Sequence, residues 1–306
     1  MKVCVYRPGA LGDLIVTGPA IQAMCNRWPE ISLTLIASPA WRALAGQLTF
    51  LSAEDRALLP LFMGNPPARG GWLPEGGFDL ALLFLQNSDP LLEQGFQSVA
   101  SRVLTLRSRP PEGYSHNIRD FLFEEVQRAL DLQTPRPTSA WPFLPAIGTQ
   151  DVKEGANPRA ICIHPGSGSI RKNWPILNYY SLISDLGPGG HSVLWSLGPA
   201  DEALSETLYA LLADKSETAV PIRNHGDWEA WSAAQVGPGK TAHGILRVDL
   251  AVLMGILRKC SFFIGNDSGV SHLSAALGVP TLTIFGGSDP IIWAPEGPAR
   301  AVQWTG

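Results

Sequence analysis

Ser261-Phe-Phe-Ile-Gly-Asn-Asp-Ser-Gly-Val-Ser-His272, an alanine-containing run, and then Gly278-Val-Pro-Thr-Leu-Thr-Ile-Phe-Gly286 spell out four elements: a buried strand, a polar turn, a short helix and a second buried strand. Asn266, Asp267, Ser268 and Gly269 gather where the first strand ends and the helix begins. Backbone N–H groups in the first turn of a helix have no partner within it and bind phosphate or sugar oxygens. His272 follows Ser268 by four residues, so one helical turn brings it back over the same rim. A strand needs no such density of polar groups merely to end, which makes this turn a candidate ligand site.

Outward from this unit the pattern repeats. In the first half, strands are expected at 2–7, 32–37, 78–85 and 103–106, and helices at 13–28, 39–48, 88–101 and 115–132. Such alternation builds βαβ units on a parallel sheet. A proline-rich stretch from Gln133 to Pro158 breaks the periodicity and reads as a crossing between domains. Beyond it the alternation restarts, with strands at 159–164, 191–197 and 219–223 and helices at 174–186, 200–213 and 248–259. The expected division is an N-terminal domain over 1–145, a linker over 146–158 and a C-terminal domain over 159–306, each a doubly wound α/β unit. The polar stretch 224–244, with Trp228 and Trp231, reads either as a surface loop or as part of a substrate wall.

Composition bounds the function. The chain has 306 residues, 45% hydrophobic and 16% charged, which fits a globular protein with sizeable cores. Residues 1–150 carry 12 Lys+Arg against 13 Asp+Glu and residues 151–306 carry 11 against 14, so neither half is a basic surface for duplex nucleic acid. Cys4, Cys25, Cys162 and Cys260 lack zinc or Cys-x-x-Cys spacing and read as reduced core thiols of a cytosolic protein. The N-terminus opens directly into a strand, so no signal peptide is expected, and no apolar run is long enough for a membrane span.

Three further groups could carry chemistry. In Arg7-Pro-Gly-Ala-Leu-Gly-Asp13, Gly9 and Gly12 allow a tight turn and close approach by a ligand. Asp13 is either a carboxylate capping the helix or a reactive carboxylate at the C-terminal edge of a parallel sheet. His164-Pro-Gly-Ser-Gly-Ser-Ile-Arg-Lys-Asn-Trp-Pro175 offers the hydroxyls of Ser167 and Ser169 and the charges of Arg171 and Lys172. Small donors beside a cation suit a diphosphate, although a flexible loop with solvated charges has the same composition. Glu202, after Gly198-Pro-Ala-Asp, either accepts from ribose hydroxyls or merely favours a helix start. Asp267 and His272, five apart, are poorly spaced to share a metal on one helical face, and no metal is expected. G-x-G-x-x-G and the P-loop ending are absent, which argues against a dinucleotide oxidoreductase and a P-loop nucleotidase.

In this order the motifs resemble those of glycosyltransferase family 9, the ADP-heptose:lipopolysaccharide heptosyltransferase family. The matching segments are Gly9-Ala-Leu-Gly-Asp-Leu-Ile-Val-Thr-Gly-Pro-Ala-Ile21, His164-Pro-Gly166 with Lys172-Asn-Trp-Pro175, Asp267-Ser-Gly-Val-Ser-His-Leu-Ser-Ala-Ala-Leu-Gly-Val-Pro280, and Phe285-Gly-Gly-Ser-Asp-Pro290. The resemblance implies a GT-B fold, two Rossmann-like doubly wound domains facing a central cleft. It implies an inverting, metal-independent and cofactor-free transfer of a heptose or related sugar from an ADP-heptose-like donor to a lipopolysaccharide-core or other glycan acceptor. By the same resemblance Asp13 is the general base. Ser167, Ser169 and Lys172, with backbone N–H groups near Ser268 and Gly269, stabilise the departing diphosphate. Asp267 contacts hydroxyls of the transferred sugar, His272 assists near the diphosphate, and Glu202 grips the ribose. The partners implied are the nucleotide sugar, a glycan or glycolipid acceptor and a transient contact with the inner face of the inner membrane. A cytoplasmic location follows, with no nucleic-acid partner.

The sequence also departs from that pattern. Relatives usually continue past the Phe-Gly-x-x-x-Pro motif into a closing helix, whereas this chain ends at Trp304-Thr-Gly306, so that helix is expected to be missing. A non-catalytic nucleotide-sugar-binding protein of the same fold is therefore the alternative. An anionic acceptor calls for cations, but 58–76 holds only Arg69; Arg102, Arg107 and Arg109 either serve instead or, the favoured reading, are solvated surface residues.

Overall fold

The computed structural model describes residues 1–67, 72–138, 141–144, 160–186, 192–234 and 241–305. The chain divides into two compact units, Met1–Pro145 and Ala146–Gly306. The expected linker over 146–158 lies outside the described residues, as does Arg69.

The first unit is built on a five-stranded parallel sheet in the order β3-β2-β1-β4-β5. Its strands are β1 (Lys2–Tyr6), β2 (Ser32–Ala37), β3 (Thr49–Ser52), β4 (Leu80–Leu85) and β5 (Val103–Arg107). Val3, Cys4 and Val5 of β1 are fully buried, as befits a central strand covered on both faces. The helix expected over 13–28 is two helices, α1 (Leu11–Val16) and α2 (Gly18–Arg27), with Thr17 between them and Pro19, which has no N–H to donate, in the first turn of α2. The helix expected over 39–48 is a shorter 3₁₀ turn, Pro39–Leu44. Gly46, at φ +54°, then turns the chain into β3, a strand that periodicity did not reveal. α3 (Leu59–Phe62), also unforeseen, packs on α4 (Pro90–Gln97), which Asp89 caps by accepting the Leu92 N–H at 3.1 Å. α5 (Ile118–Leu130) starts at the Asn117 cap and ends at Asp131 in the left-handed region, φ 49°. The front of the expected crossing is bound to this unit. Arg136 Nε pairs with Asp120 Oδ1 at 2.7 Å, and the buried Trp141 donates to Leu44 O at 2.7 Å.

The second unit carries a seven-stranded parallel sheet in the order β12-β11-β10-β6-β7-β9-β8. Its strands are β6 (Ala160–His164), β7 (Ser192–Ser196), β8 (Ala219–Ile222), β9 (Ala242–Leu246), β10 (Phe262–Asn266), β11 (Thr281–Phe285) and β12 (Ala299–Gln303). α6 (Ile176–Asp185), α7 (Glu202–Asp214), α9 (Leu250–Leu257), α10 (Gly269–Ala276) and α11 (Pro290–Trp293) connect them. Within 224–244, the described residues are mostly not a loop. They form α8 (His225–Ala233) and the start of β9, and Trp228 and Trp231 are buried. Trp231 packs over Gly244, where a Cβ would sit 3.1 Å from its ring and 2.7 Å from Ile222.

Each sheet reverses direction once. In the first, the chain runs from β1 outward through β2 to β3 and returns to place β4 on the other flank of β1. In the second it runs from β6 to the β8 edge and returns to place β10 beside β6. Ligands of open α/β sheets bind beyond the carboxyl ends of strands at such reversals, here after β1 and β4 and after β6 and β10. Among the described residues no helix is long and apolar enough to cross a membrane.

Gly95 is where α4 meets the Leu61 backbone, and a Cβ there would collide with Leu61 O. Gly95→Ala is expected to destabilise the protein by about 1–3 kcal/mol through overpacking, read as a lower urea midpoint with an unchanged m-value. An unaltered midpoint would show that α3 shifts freely on α4.

Candidate active site

The loop after β1 holds the first group. Asp13 sits in the first turn of α1 and is held on both carboxylate oxygens: Oδ2 accepts the Ala10 N–H at 3.1 Å and Oδ1 lies 3.6 Å from Arg7 Nη2. Its side chain keeps 23% of its exposure. The carboxylate therefore caps the helix and still faces solvent. Gly9 lies against it, and a Cβ there would be 2.7 Å from Oδ2. Trp41 Nε1 donates to Gly9 O at 3.0 Å and ties the loop to the Pro39–Leu44 turn. Gly12 is the second residue of α1.

Arg7 was not singled out in the sequence, yet it organises this loop. It is buried, its Nε donates to Asp13 O and Thr17 Oγ1 at 3.2 Å each, and its guanidinium lies 5.8 Å over the Phe84 ring. Burial pushes its pKa down, the Asp13 charge pushes it back up, and the Arg109 charge lowers it further. A charged residue directly ending an apolar strand was the available signal. Arg107 and Arg102 are exposed, as expected; Arg107 pairs with Glu125 at 3.0 Å and Arg102 donates to Ala129 O at 3.0 Å.

The second group surrounds β6 and β10. Asn266, fully buried at the end of β10, accepts the Trp174 N–H at 2.9 Å and the Tyr179 hydroxyl at 2.8 Å, and donates to Pro165 O at 2.7 Å. One side chain thus fixes both ends of the 165–174 loop and the first turn of α6. Lys172 Nζ consequently reaches Asp267 Oδ2 at 2.6 Å, and Ser288 Oγ, after β11, donates to the same oxygen at 2.5 Å. Ser268 caps α10 by accepting the Ser271 N–H at 3.3 Å, which leaves Gly269 as the first helical residue. His272 is buried one turn on, its N–H donating to Ser268 O at 3.3 Å.

Ser167 and Ser169 serve the loop itself in this structure. Ser167 Oγ lies 2.7 Å from Ser169 O and 2.6 Å from Asn173 Oδ1, and accepts the Ser169 N–H at 3.2 Å. Gly166 packs against the buried Asp201, whose carboxylate occupies the space a Cβ would need and accepts the Gly198 N–H at 2.7 Å. His164 donates from Nδ1 to Ser196 O at 2.8 Å, and burial pushes its pKa down, so the ring is neutral. Glu202 takes another partner, Arg247 Nη1 at 2.8 Å, beside a shallow depression lined by Tyr209, Ile222 and Arg223. The structure therefore joins Ser167, Ser169, Lys172, Asp267, Ser268, Gly269 and His272 around one sheet reversal and leaves Glu202 on the adjoining β7–β9 side. Among the described residues no group of His, Cys, Asp and Glu is placed to hold a metal ion.

Two doubly wound units of this kind constitute the GT-B fold. Residues 234–305 match the family described as "Glycosyltransferase family 9 (heptosyltransferase)". Lipopolysaccharide heptosyltransferase 3 of Escherichia coli is 21% identical over 96% of this chain and 86% of its own length. Lipopolysaccharide heptosyltransferase 2 of Salmonella typhimurium is 23% identical over 95% and 84%. Among solved structures, the family 9 glycosyl transferase from Veillonella parvula superposes with a TM-score of 0.68 at 15% identity, covering 99% of this chain and 86% of that one. E. coli heptosyltransferase WaaC with ADP superposes with a TM-score of 0.67 at 14% identity, covering 99% and 93%. The chain is thus similar over most of its length to family 9 glycosyltransferases, and its class is glycosyltransferase.

Asn266→Ala leaves three groups without a partner at the base of the loop, two of them buried. Losses of this type cost about 1–3 kcal/mol for each unsatisfied group. The expected outcome is a lower unfolding midpoint together with faster hydrogen exchange at the Trp174 amide; unchanged Trp174 exchange would mean that Asn266 does not hold the loop.

Proposed function

We propose that the protein is an inverting glycosyltransferase that moves a heptose, or a closely related sugar, from an ADP-heptose-like donor to a lipopolysaccharide-core acceptor. The observation that carries this reading is the cluster of Lys172, Asp267 and Ser288 beside the first turn of α10, at the reversal between β6 and β10. Its support from relatives is that E. coli WaaC was solved with ADP and with ADP-2-deoxy-2-fluoro heptose, and that the curated relatives are lipopolysaccharide heptosyltransferases.

In this reading the donor diphosphate displaces Asp267 from Lys172. The ammonium then faces the phosphates, and the Asp267 carboxylate, held by Ser288, accepts from sugar hydroxyls. The Gly269 region supplies backbone N–H donors, Ser167, Ser169 and His272 flank the diphosphate, and Glu202 accepts from the ribose. An acceptor hydroxyl oxygen attacks the anomeric carbon on the face opposite the diphosphate while Asp13 takes its proton. The bond from the anomeric carbon to the phosphate oxygen breaks, its electron pair leaves on ADP, and the configuration inverts. Lys172 and the helix amides provide the positive field for that departing charge, so we propose transfer without a metal ion. A lipid-linked acceptor places the work at the inner face of the inner membrane.

The test is transfer from ADP-heptose to a purified lipopolysaccharide-core acceptor in the presence of chelator, followed as ADP release. Wild type is expected to turn over, and Asp13→Ala to lose about 10²–10⁴-fold in kcat while binding the donor as before. Asp13→Ala turnover within a few-fold of wild type would overturn the assignment of the base.

A further inference from the structure

We infer that Arg7 is the positioning residue of the reaction, holding the Asp13 carboxylate in the orientation from which it takes the acceptor proton. The inference rests on the reading of Asp13 as the base. Its own evidence is the way the guanidinium is spent. A buried cation needs specific partners, because burial strips its hydration. Arg7 is only 4% exposed, yet it makes no hydrogen bond to a carboxylate. Its Nε is shared between Asp13 O and Thr17 Oγ1, and Thr17 Oγ1 donates to Asp13 O at 2.8 Å. The backbone of the base residue and the turn between α1 and α2 are thereby locked to the end of β1.

Nη2 is then directed at Asp13 Oδ1 from 3.6 Å, an ion-pair distance beyond hydrogen-bond range, and makes no hydrogen bond of its own. At that distance it orients the carboxylate by charge without occupying the Oδ1 lone pairs. Oδ2 is fixed on the other side by the Ala10 N–H and by Gly9. The carboxylate is thus confined between a cation and an amide, with Oδ1 the oxygen available to an incoming hydroxyl. Lysine cannot reproduce this, since a single ammonium has no planar fork to brace Asp13 O, Thr17 Oγ1 and Oδ1 together.

The experiment is a double-mutant cycle between Arg7→Gln and Asp13→Ala, with kcat, KM for donor and acceptor, and thermal midpoint measured for each protein. Misplacing a reacting group by about 1 Å costs roughly 10²-fold, so Arg7→Gln is expected to lower kcat by about that factor with both KM values little changed. In the Asp13→Ala background the same substitution is expected to cost less than about threefold, because its effect passes through the carboxylate. Equal losses in both backgrounds, or no loss in kcat from Arg7→Gln, would overturn the inference. Full activity of Asp13→Ala alone would instead overturn the reading beneath it. If Arg7→Gln does not fold, Arg7→Lys enters the same cycle with the same expectations.

Discussion

Lys172 Nζ and Asp267 Oδ2 lie 2.6 Å apart although 95 residues separate them in sequence. Nothing in either local segment dictates that contact. It follows from the order in which the strands are laid down: β6 first, then β7 to β9 on one flank, then β10 on the other. The loop after the first strand and the turn after the returning strand are thereby forced into the same space. Asn266 then removes the remaining freedom by bonding both ends of the 165–174 loop. A cation and an anion so placed neutralise one another. Pairs of this kind are poor sources of stability, because desolvation offsets most of the attraction.

The first unit applies the same constraint to a different end. Its reversal lies between β1 and β4, and the loop emerging there carries Arg7 and Asp13. The second unit sets a cation against a carboxylate at 2.6 Å, and the first sets a cation behind a carboxylate at 3.6 Å. The Pro39–Leu44 turn contributes to that arrangement in two ways. Trp41 holds Gly9 O, and Leu44 O receives the buried Trp141 from the proline-rich segment. The stretch read from the sequence as a crossing thus begins as a brace on the element that supports the Asp13 loop.

Much of the fold was legible because strands buried on both faces are continuous apolar runs. Lys2–Tyr6, Ser32–Ala37, Ala160–His164 and Phe262–Asn266 could be read within a residue or two at their ends. β3 and β12 escaped because short edge strands bury few side chains; four of the five residues of β12 are exposed. β9 escaped because His243 and Gly244 interrupt its apolar run, and α8 because its two buried tryptophans sit among polar neighbours. In the site, Asp13, Lys172, Asp267 and Ser268 were legible as polar residues at strand ends. Arg7, Asp201 and Ser288 were not singled out, and Asn266 was read only as part of the polar turn, since the contacts that define them depend on tertiary packing. Ser288 was within reach of the strand-end rule, standing as it does in Phe285-Gly-Gly-Ser-Asp-Pro290 after β11.

The central claim is that a nucleoside diphosphate is held at the β6–β10 reversal. Amide chemical shifts of ¹⁵N-labelled protein titrated with ADP test it most directly. The account predicts the largest changes at Gly269, Val270 and along 166–173, saturating together with a single dissociation constant. Saturable binding whose shifts spare Gly269 and Lys172 and fall elsewhere on the protein would contradict it.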